Sequence, residues 1–172
     1  MTAVEGNSNA ALIARFYAAL DRHDAAPMIA CYAPEATFSD PVFPRLDAGA
    51  LAAMWRMLCA RGRDLRVVAS AIDADTTTGR AHWDATYTYS ATGRRVANRI
   101  DATFVFRDGL IVQHVDRFDL GRWARQALGV PGLLFGWAPP MQGAIRRRAA
   151  QALAAWRVRE ASAIPAATAP AP

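Results

Sequence analysis

Residues 31–41 read Cys31 to Pro41, "CYAPEATFSDP". Glu35 to Ser39 predicts a short strand, and Asp40-Pro41 turns it, because Pro sets its own φ and biases the residue before it towards extended backbone. The residues that follow, Val42-Phe43-Pro44, keep the turn apolar. Phe38, Val42 and Phe43 therefore enclose one carboxyl group, that of Asp40. Two readings are open at this point. An Asp can accept the backbone N–H groups of its own turn. A carboxyl in an apolar pocket can also be placed there for chemistry.

Working outward, the period before this turn is helical. Asn7 or Ser8 can cap a helix on which Leu12, Ile13, Phe16, Tyr17 and Leu20 share a face. A second short helix runs from about Ala25 to Tyr32. After the turn, Asp47 or Gly49 opens a third, with Leu51, Met54, Trp55 and Leu58 on one side. From Leu65 the period switches to two. Strands are predicted over Leu65–Asp73, Arg80–Tyr89, Val96–Phe106 and Leu110–Phe118, with hairpin turns at "SATGRR" and "RDG". Trp83, Ala85, Tyr87 and Tyr89 share one face. Asn98, Ile100, Ala102, Phe104 and Phe106 share another. Val112, His114, Asp116 and Phe118 alternate with Ile111, Gln113, Val115 and Arg117. His82, Asp84, Arg99 and Asp101 fall on the outer face, where cross-strand charge pairs or a dimer interface are the default. His23, in "DRHD", reads as solvated. Three helices followed by a four-stranded antiparallel meander is an α+β order.

Beyond the meander, Gly121–Leu128 is helical in pattern, "GVPGLLFGWAPP" reads as an apolar loop, and Met141–Arg159 forms a basic helix. "ASAIPAATAPAP" is a low-complexity tail that predicts disorder. All 20 basic side chains are Arg. Residues 1–120 carry 13 of them against 14 acidic groups, whereas residues 121–160 carry seven against Glu160 alone. The sequence pI near 10 therefore comes from the C-terminal segment and does not argue for nucleic-acid binding by the main domain. The basic helix and the apolar stretch before it suit an anionic membrane surface. Packing of the helix back onto its own domain or a sister subunit is the favoured alternative.

Other classes are excluded or unsupported. No run approaches the length of a membrane span. The N-terminus lacks a basic region, a long apolar run and a cleavage signal, which predicts a cytoplasmic protein. Cys31 and Cys59 read as buried free thiols. The three histidines are scattered, so no metal site is assigned. No nucleophile-elbow, P-loop or dinucleotide-binding glycine pattern is present.

"LIARFYAALDRHDAAPMIACYAPEATFSDP" followed by a helix and a meander resembles the NTF2-like superfamily over about residues 9–128, and within it the SnoaL-like and ketosteroid-isomerase-like proteins. "CYAPEATFSDP" and "GLIVQHVDRFDL" carry the resemblance most specifically. It implies an α+β cone, with three N-terminal helices packed in a curved, mainly antiparallel sheet, around a deep apolar cavity. Members are often dimers through the outer sheet face. The expected organisation is an N-terminal tail (1–8), the NTF2-like domain (9–128), an extension of apolar loop and basic helix (129–160) of a kind seen in uncharacterised members, and the tail (161–172).

The resemblance implies that Asp40 stands where ketosteroid isomerases keep their general base, a family of tuned carboxyl groups. The family's oxyanion tyrosine falls on Phe16, with Tyr17 one step off the inward face. Its oxyanion aspartic acid falls on Ala102, with Asp101 on the opposite face. Loss of those donors removes a large part of such catalysis, so ordinary ketosteroid isomerisation is not expected. His114 and Asp116 share the face predicted to line the cavity and complete a proton-transfer set with Asp40. The remaining ligand contacts expected are Phe16, Tyr17, Trp55, Trp83, Tyr87, Asn98, Ala102 and Phe118. The expected activity is cofactor-independent proton transfer (isomerase, dehydratase or cyclase type) on a small hydrophobic molecule. The alternatives are a non-catalytic ligand-binding or dimerisation module, and a membrane- or partner-associating protein working through residues 129–160.

Overall fold

The computed structural model describes residues 2–163, with side chains from Ser8 onward. Helix α1 (Thr2–Asp21) already begins at Thr2, so Asn7 and Ser8 lie within a helix instead of capping one. Leu12, Ile13, Phe16, Tyr17, Ala19 and Leu20 are buried along it, while Ala14, Arg15 and Ala18 are exposed. The buried arc is wide enough to take both Phe16 and Tyr17, which differ by only one residue's rotation about the axis. α2 (Ala25–Ile29) is short. Strand β1 (Tyr32–Ser39) follows, then α3 (Ala48–Arg61). Asp47 caps α3 by accepting the Ala50 N–H at 2.8 Å. His23, expected in solvent, is half-buried, and its Nε2 lies 2.8 Å from the Leu65 carbonyl.

Strands β2 (Arg66–Ala74), β3 (Thr78–Tyr89), β4 (Arg94–Arg107) and β5 (Leu110–Arg117) form the meander. The sheet order is β1-β5-β4-β3-β2, with β1 parallel to β5 and the other pairs antiparallel. β1 thus closes the far edge of the meander and brings the Asp40 turn beside the end of β5. Along β4 burial alternates strictly from Val96 to Phe106, the two-residue period of a half-buried strand. β5 does not follow that rule throughout. Phe106 pairs with Ile111 but Val105 with Gln113, which leaves Val112 as an extra residue. A bulge of this kind resets the alternation. Ile111 is therefore fully buried together with His114, although simple alternation assigns them to opposite faces.

The outer face carries the charges, as the pattern predicts. His82 Nδ1 lies 2.8 Å from Asp101 Oδ1, and Arg99 Nε 3.9 Å from Asp84. Cys31 and Cys59 are free and buried, and burial pushes the Cys59 thiol up to about 11.

Three helices follow the sheet. α4 (Leu120–Leu128) packs Trp123, Ala124 and Ala127 into a small second core with Val96 and Tyr89. The stretch expected as a loop contains α5 (Val130–Phe135). Its seat on α4 depends on glycine: a Cβ at Gly132 would collide with the Ala124 carbonyl, and one at Gly136 would press on the Ala124 methyl. α6 (Pro139–Ala163) turns back over α3. It buries Leu153 and packs Ala149, Ala152 and Trp156 against the main core. Arg56 donates two hydrogen bonds to Glu160, from Nε at 2.6 Å and a terminal nitrogen at 3.0 Å. Residues 161–163 continue α6, and the rest of the expected disordered tail lies outside the described residues. No helix of the described residues is long and apolar enough to cross a membrane.

Candidate active site around Asp40 and a buried polar chain

The Asp40 turn is built by its own side chain. Oδ1 accepts the N–H of Val42 at 2.7 Å and of Phe43 at 2.5 Å, and the Asp40 N–H donates to the Phe43 carbonyl at 2.9 Å. Oδ2 takes no hydrogen bond among the described residues. Burial pushes the carboxyl up to about 6; the two backbone N–H donors oppose that rise, the charge of Asp116 adds to it, and His114 lowers it. The turn function is therefore real, and it uses one oxygen. The other oxygen belongs to a half-buried carboxyl that titrates near neutral pH.

Behind the turn, β5 carries His114 and Asp116 into the core, 0% and 4% exposed. His114 is ringed by aromatics: the centroid of Phe104 is 4.4 Å away, Phe38 5.1 Å and Phe16 5.6 Å. Its two nitrogens are both engaged. Nδ1 is 2.7 Å from the Tyr32 hydroxyl, and Nε2 is 3.0 Å from Asp116 Oδ1. The Trp55 indole N–H donates to the Tyr32 oxygen at 3.2 Å, and the Trp83 indole N–H reaches Asp116 Oδ1 at 3.4 Å.

Trp can only donate, which orders the chain. Tyr32 accepts from Trp55 and can give its proton to Nδ1. That leaves the proton on Nε2, donating to Asp116. Every buried group in the sequence Trp55–Tyr32–His114–Asp116–Trp83 is then satisfied, as buried polar groups require. His114 has no nitrogen left for a ligand in this arrangement. It orients Asp116.

Tyr17 is the exception. It is 2% exposed, its ring lies 5.5 Å from Trp83, and its hydroxyl has no hydrogen-bond partner among the described residues. Burial raises it well above the usual phenol range, and the charge of Asp116 raises it further. The residue thus remains a hydroxyl with an unused proton, within reach of the charge of Asp116.

The other expected contacts divide into two groups. Phe16, Trp55 and Ala102 are at most 2% exposed, and Phe16 and Trp55 meet edge to face at 5.4 Å. Together with Trp83 these side chains pack against one another where an open apolar cavity was expected. A void lined by aromatics forfeits dispersion contacts, so the rings close on it. Tyr87 and Phe118 are half-buried and form a rim. The Tyr87 hydroxyl accepts the Trp123 indole N–H at 2.7 Å, and burial pushes it up to about 12. Asn98 is buried on β4, opposite Ala85 of β3. A cavity of about 170 Å³ lies elsewhere, between α2, β1 and α3, lined by residues including Ile29, Pro34, Ala48 and Leu51. No group of three or more potential metal ligands occurs among the described residues.

Two participants escape a residue-by-residue reading. Tyr32 is missed because alternation breaks in β1: Pro34 is exposed, and the register against β5 shifts between Tyr32 and Thr37. Arg146 is missed as well. Its Nε donates to the Pro41 carbonyl at 2.9 Å across 105 positions of chain, and Ile145 joins Val42, Tyr87 and Phe118 in the second core. The C-terminal extension therefore lies over the Asp40 turn and latches it.

Several solved structures are similar to this chain in fold. IdmH of Streptomyces antibioticus, a proposed polyketide cyclase, superposes with a TM-score of 0.60 at 22% identity over 71% of this chain and 99% of its own. TsrD of Streptomyces laurentii gives 0.59 at 25% identity over 72% and 96%. An epoxide hydrolase of M. tuberculosis resembling LEH gives 0.58 at 20% identity over 76% and 95%. No curated protein matches the sequence. The profile of the SnoaL-like domain matches residues 13–114, from the first buried turn of α1 to His114. With its mixed sheet and helix order, this α+β chain has the NTF2-like fold and belongs to the SnoaL-like domain family.

Proposed function

We propose that the chain binds a small, largely apolar molecule against Asp40 and catalyses cofactor-independent proton transfer on it. The observation that supports this reading is a pair of opposites that share the field of Asp116. A half-buried carboxyl with a free Oδ2, raised to about 6, feels the charge of Asp116, and so does a buried hydroxyl with no partner. A base near neutral pKa and an unspent donor are what removal of a proton next to a carbonyl requires.

In this reading Asp40 Oδ2 takes a proton from a carbon. The electron pair moves onto the carbonyl oxygen, which receives the Tyr17 O–H hydrogen bond. Asp40 then returns the proton to a different carbon as the carbonyl re-forms, which yields the isomer and restores the carboxylate. His114 holds Asp116, and Trp83 steadies it. Tyr87, Phe118 and Val42 form the entrance, and both the Arg146 latch and the packing of Tyr17 on Trp83 have to loosen for a molecule to reach the two groups.

The second reading, a non-catalytic binding or dimerisation module, draws on the close packing of Phe16, Trp55 and Ala102. It also draws on the exposed Val68 and Val105, at 64% and 36%, on β2 and β4. Deuterium incorporation into apolar cyclic ketones in D2O, followed by proton NMR, separates the two. Proton transfer predicts exchange above buffer that rises with pH through about 6 and falls at least about 100-fold in Asp40→Asn. Exchange no faster than buffer, or equal in the variant, leaves the module reading.

A further inference from the structure

Helix α5 is seated the wrong way round for a soluble helix. Its small residues face the protein: Gly132 is buried against α4, and Gly136 just beyond its end is buried as well. Its large apolar residues face out. Val130 is 67% exposed, Leu133 61%, Leu134 55%, Phe135 54% and Trp137 74%. The glycine contacts make this a fixed orientation, because rotation of α5 would drive a side chain into the Ala124 carbonyl.

The surroundings of this ridge are cationic. No Asp or Glu occurs between Asp119 and Glu160. Arg122 and Arg125 lie exposed on α4, on which α5 rests. The Arg94 guanidinium lies over Gly129, at the start of α5. A second copy docking ridge to ridge would bring these arginines together, which opposes self-association. The ridge is also convex. Leu133, Leu134 and Phe135 are consecutive and all exposed, so they point around the outer arc of the helix. A fluid apolar medium envelops such a projection more completely than a flat protein face does.

From this shape and charge we infer that the α5 ridge and Trp137 dock on an anionic lipid bilayer, with the apolar side chains at the acyl boundary and the arginines at the headgroups. α6 takes no part through its apolar stripe, because Leu153 and Trp156 are committed to α3 and the core. The membrane surface is thus confined to about residues 130–137 and the arginines beside them.

The test uses the full chain and sedimentation with vesicles, either phosphatidylcholine alone or equal parts phosphatidylcholine and phosphatidylglycerol. Binding is expected to the mixed vesicles and to be weak on phosphatidylcholine. Phe135→Ser with Trp137→Ser is expected to lower it at least ten-fold, and each of Arg122→Gln and Arg125→Gln by about five-fold. The circular dichroism spectrum and the unfolding midpoint should not change, since these side chains are exposed. The inference is overturned by absence of binding to the mixed vesicles. It is equally overturned by undiminished binding of the Phe135/Trp137 variant, or by light scattering that shows the wild-type chain as a dimer which that variant splits.

Discussion

The interior behind β5 and the ridge on α5 break the same rule in opposite directions. The first buries a histidine, an aspartic acid and a tyrosine where an apolar core would be simpler. The second exposes leucines, a phenylalanine and a tryptophan where polar residues would be simpler. Each departure is held in place by specific contacts: the donor chain from Trp55 to Trp83 in one case, and the glycine seat on α4 in the other. Burial of polar groups is costly only when they lack partners. Exposure of apolar groups costs little folding energy but carries a solubility risk. The two regions should therefore respond differently to substitution.

The largest effect is expected inside. His114→Ala removes a fully buried ring and leaves Tyr32 and Asp116 without their shared partner. It should destabilise the chain by about 3–5 kcal/mol in urea unfolding. A cost close to that of an exposed substitution, within about 0.5 kcal/mol, would show that the polar chain does not hold the core and would end the contrast.

The Asp40 turn sharpens it. Burial raises this carboxyl from its ordinary range to about 6, so the folded state holds the proton more tightly than the unfolded one. The stabilisation is complete below about pH 4 and is lost as pH climbs through about 6. Asp40→Asn keeps an oxygen that can accept the Val42 and Phe43 N–H groups and carries no charge. Thermal melts at pH 8 should show it more stable than wild type by up to about 3 kcal/mol, with little difference at pH 4. Catalytic exchange should move the opposite way with pH, because the base must be ionised. Stability and activity rising together through pH 6 would contradict the assignment.

The smallest effect belongs to the ridge. Gly132→Ala forces α5 away from the Ala124 carbonyl at a cost of about 1–3 kcal/mol, and local detachment can relieve part of it. Hydrogen exchange is expected to quicken in α4 and α5 while protection in β3, β4 and β5 is unchanged. Loss of protection across the sheet would mean that the extension is integral to the cone.

Much of the cone could be read from residue order. The switch from helical to two-residue period near Leu65, the hairpin turns, and the inward run Asn98, Ile100, Ala102, Phe104, Phe106 needed only alternation. Alternation failed at Val112, where the bulge moved Ile111 into the core, because a bulge is set by strand pairing and leaves no mark in local composition. Tyr17 was assigned one step off the inward face, since a helix surrounded on more than one side buries a wider arc than a single stripe. Where the expected cavity would lie, Phe16 packs on Trp55 and Tyr17 on both Phe16 and Trp83, and whether such rings leave a gap depends on their mutual packing.

By itself the sequence determined the helix-then-meander order, the inward His114 and Asp116, and the buried Asp40 turn, because periodicity and turn chemistry act over a few neighbouring residues. Only the tertiary structure decided that β1 runs parallel beside β5, that Tyr32 completes the His114 chain while Tyr17 is left unpaired, and that Arg146 latches the Pro41 carbonyl. It also decided that α6 folds back while α5 turns its apolar side outward. Those outcomes rest on contacts between residues as many as 105 positions apart, whose energies are settled by which surfaces meet and not by any local pattern.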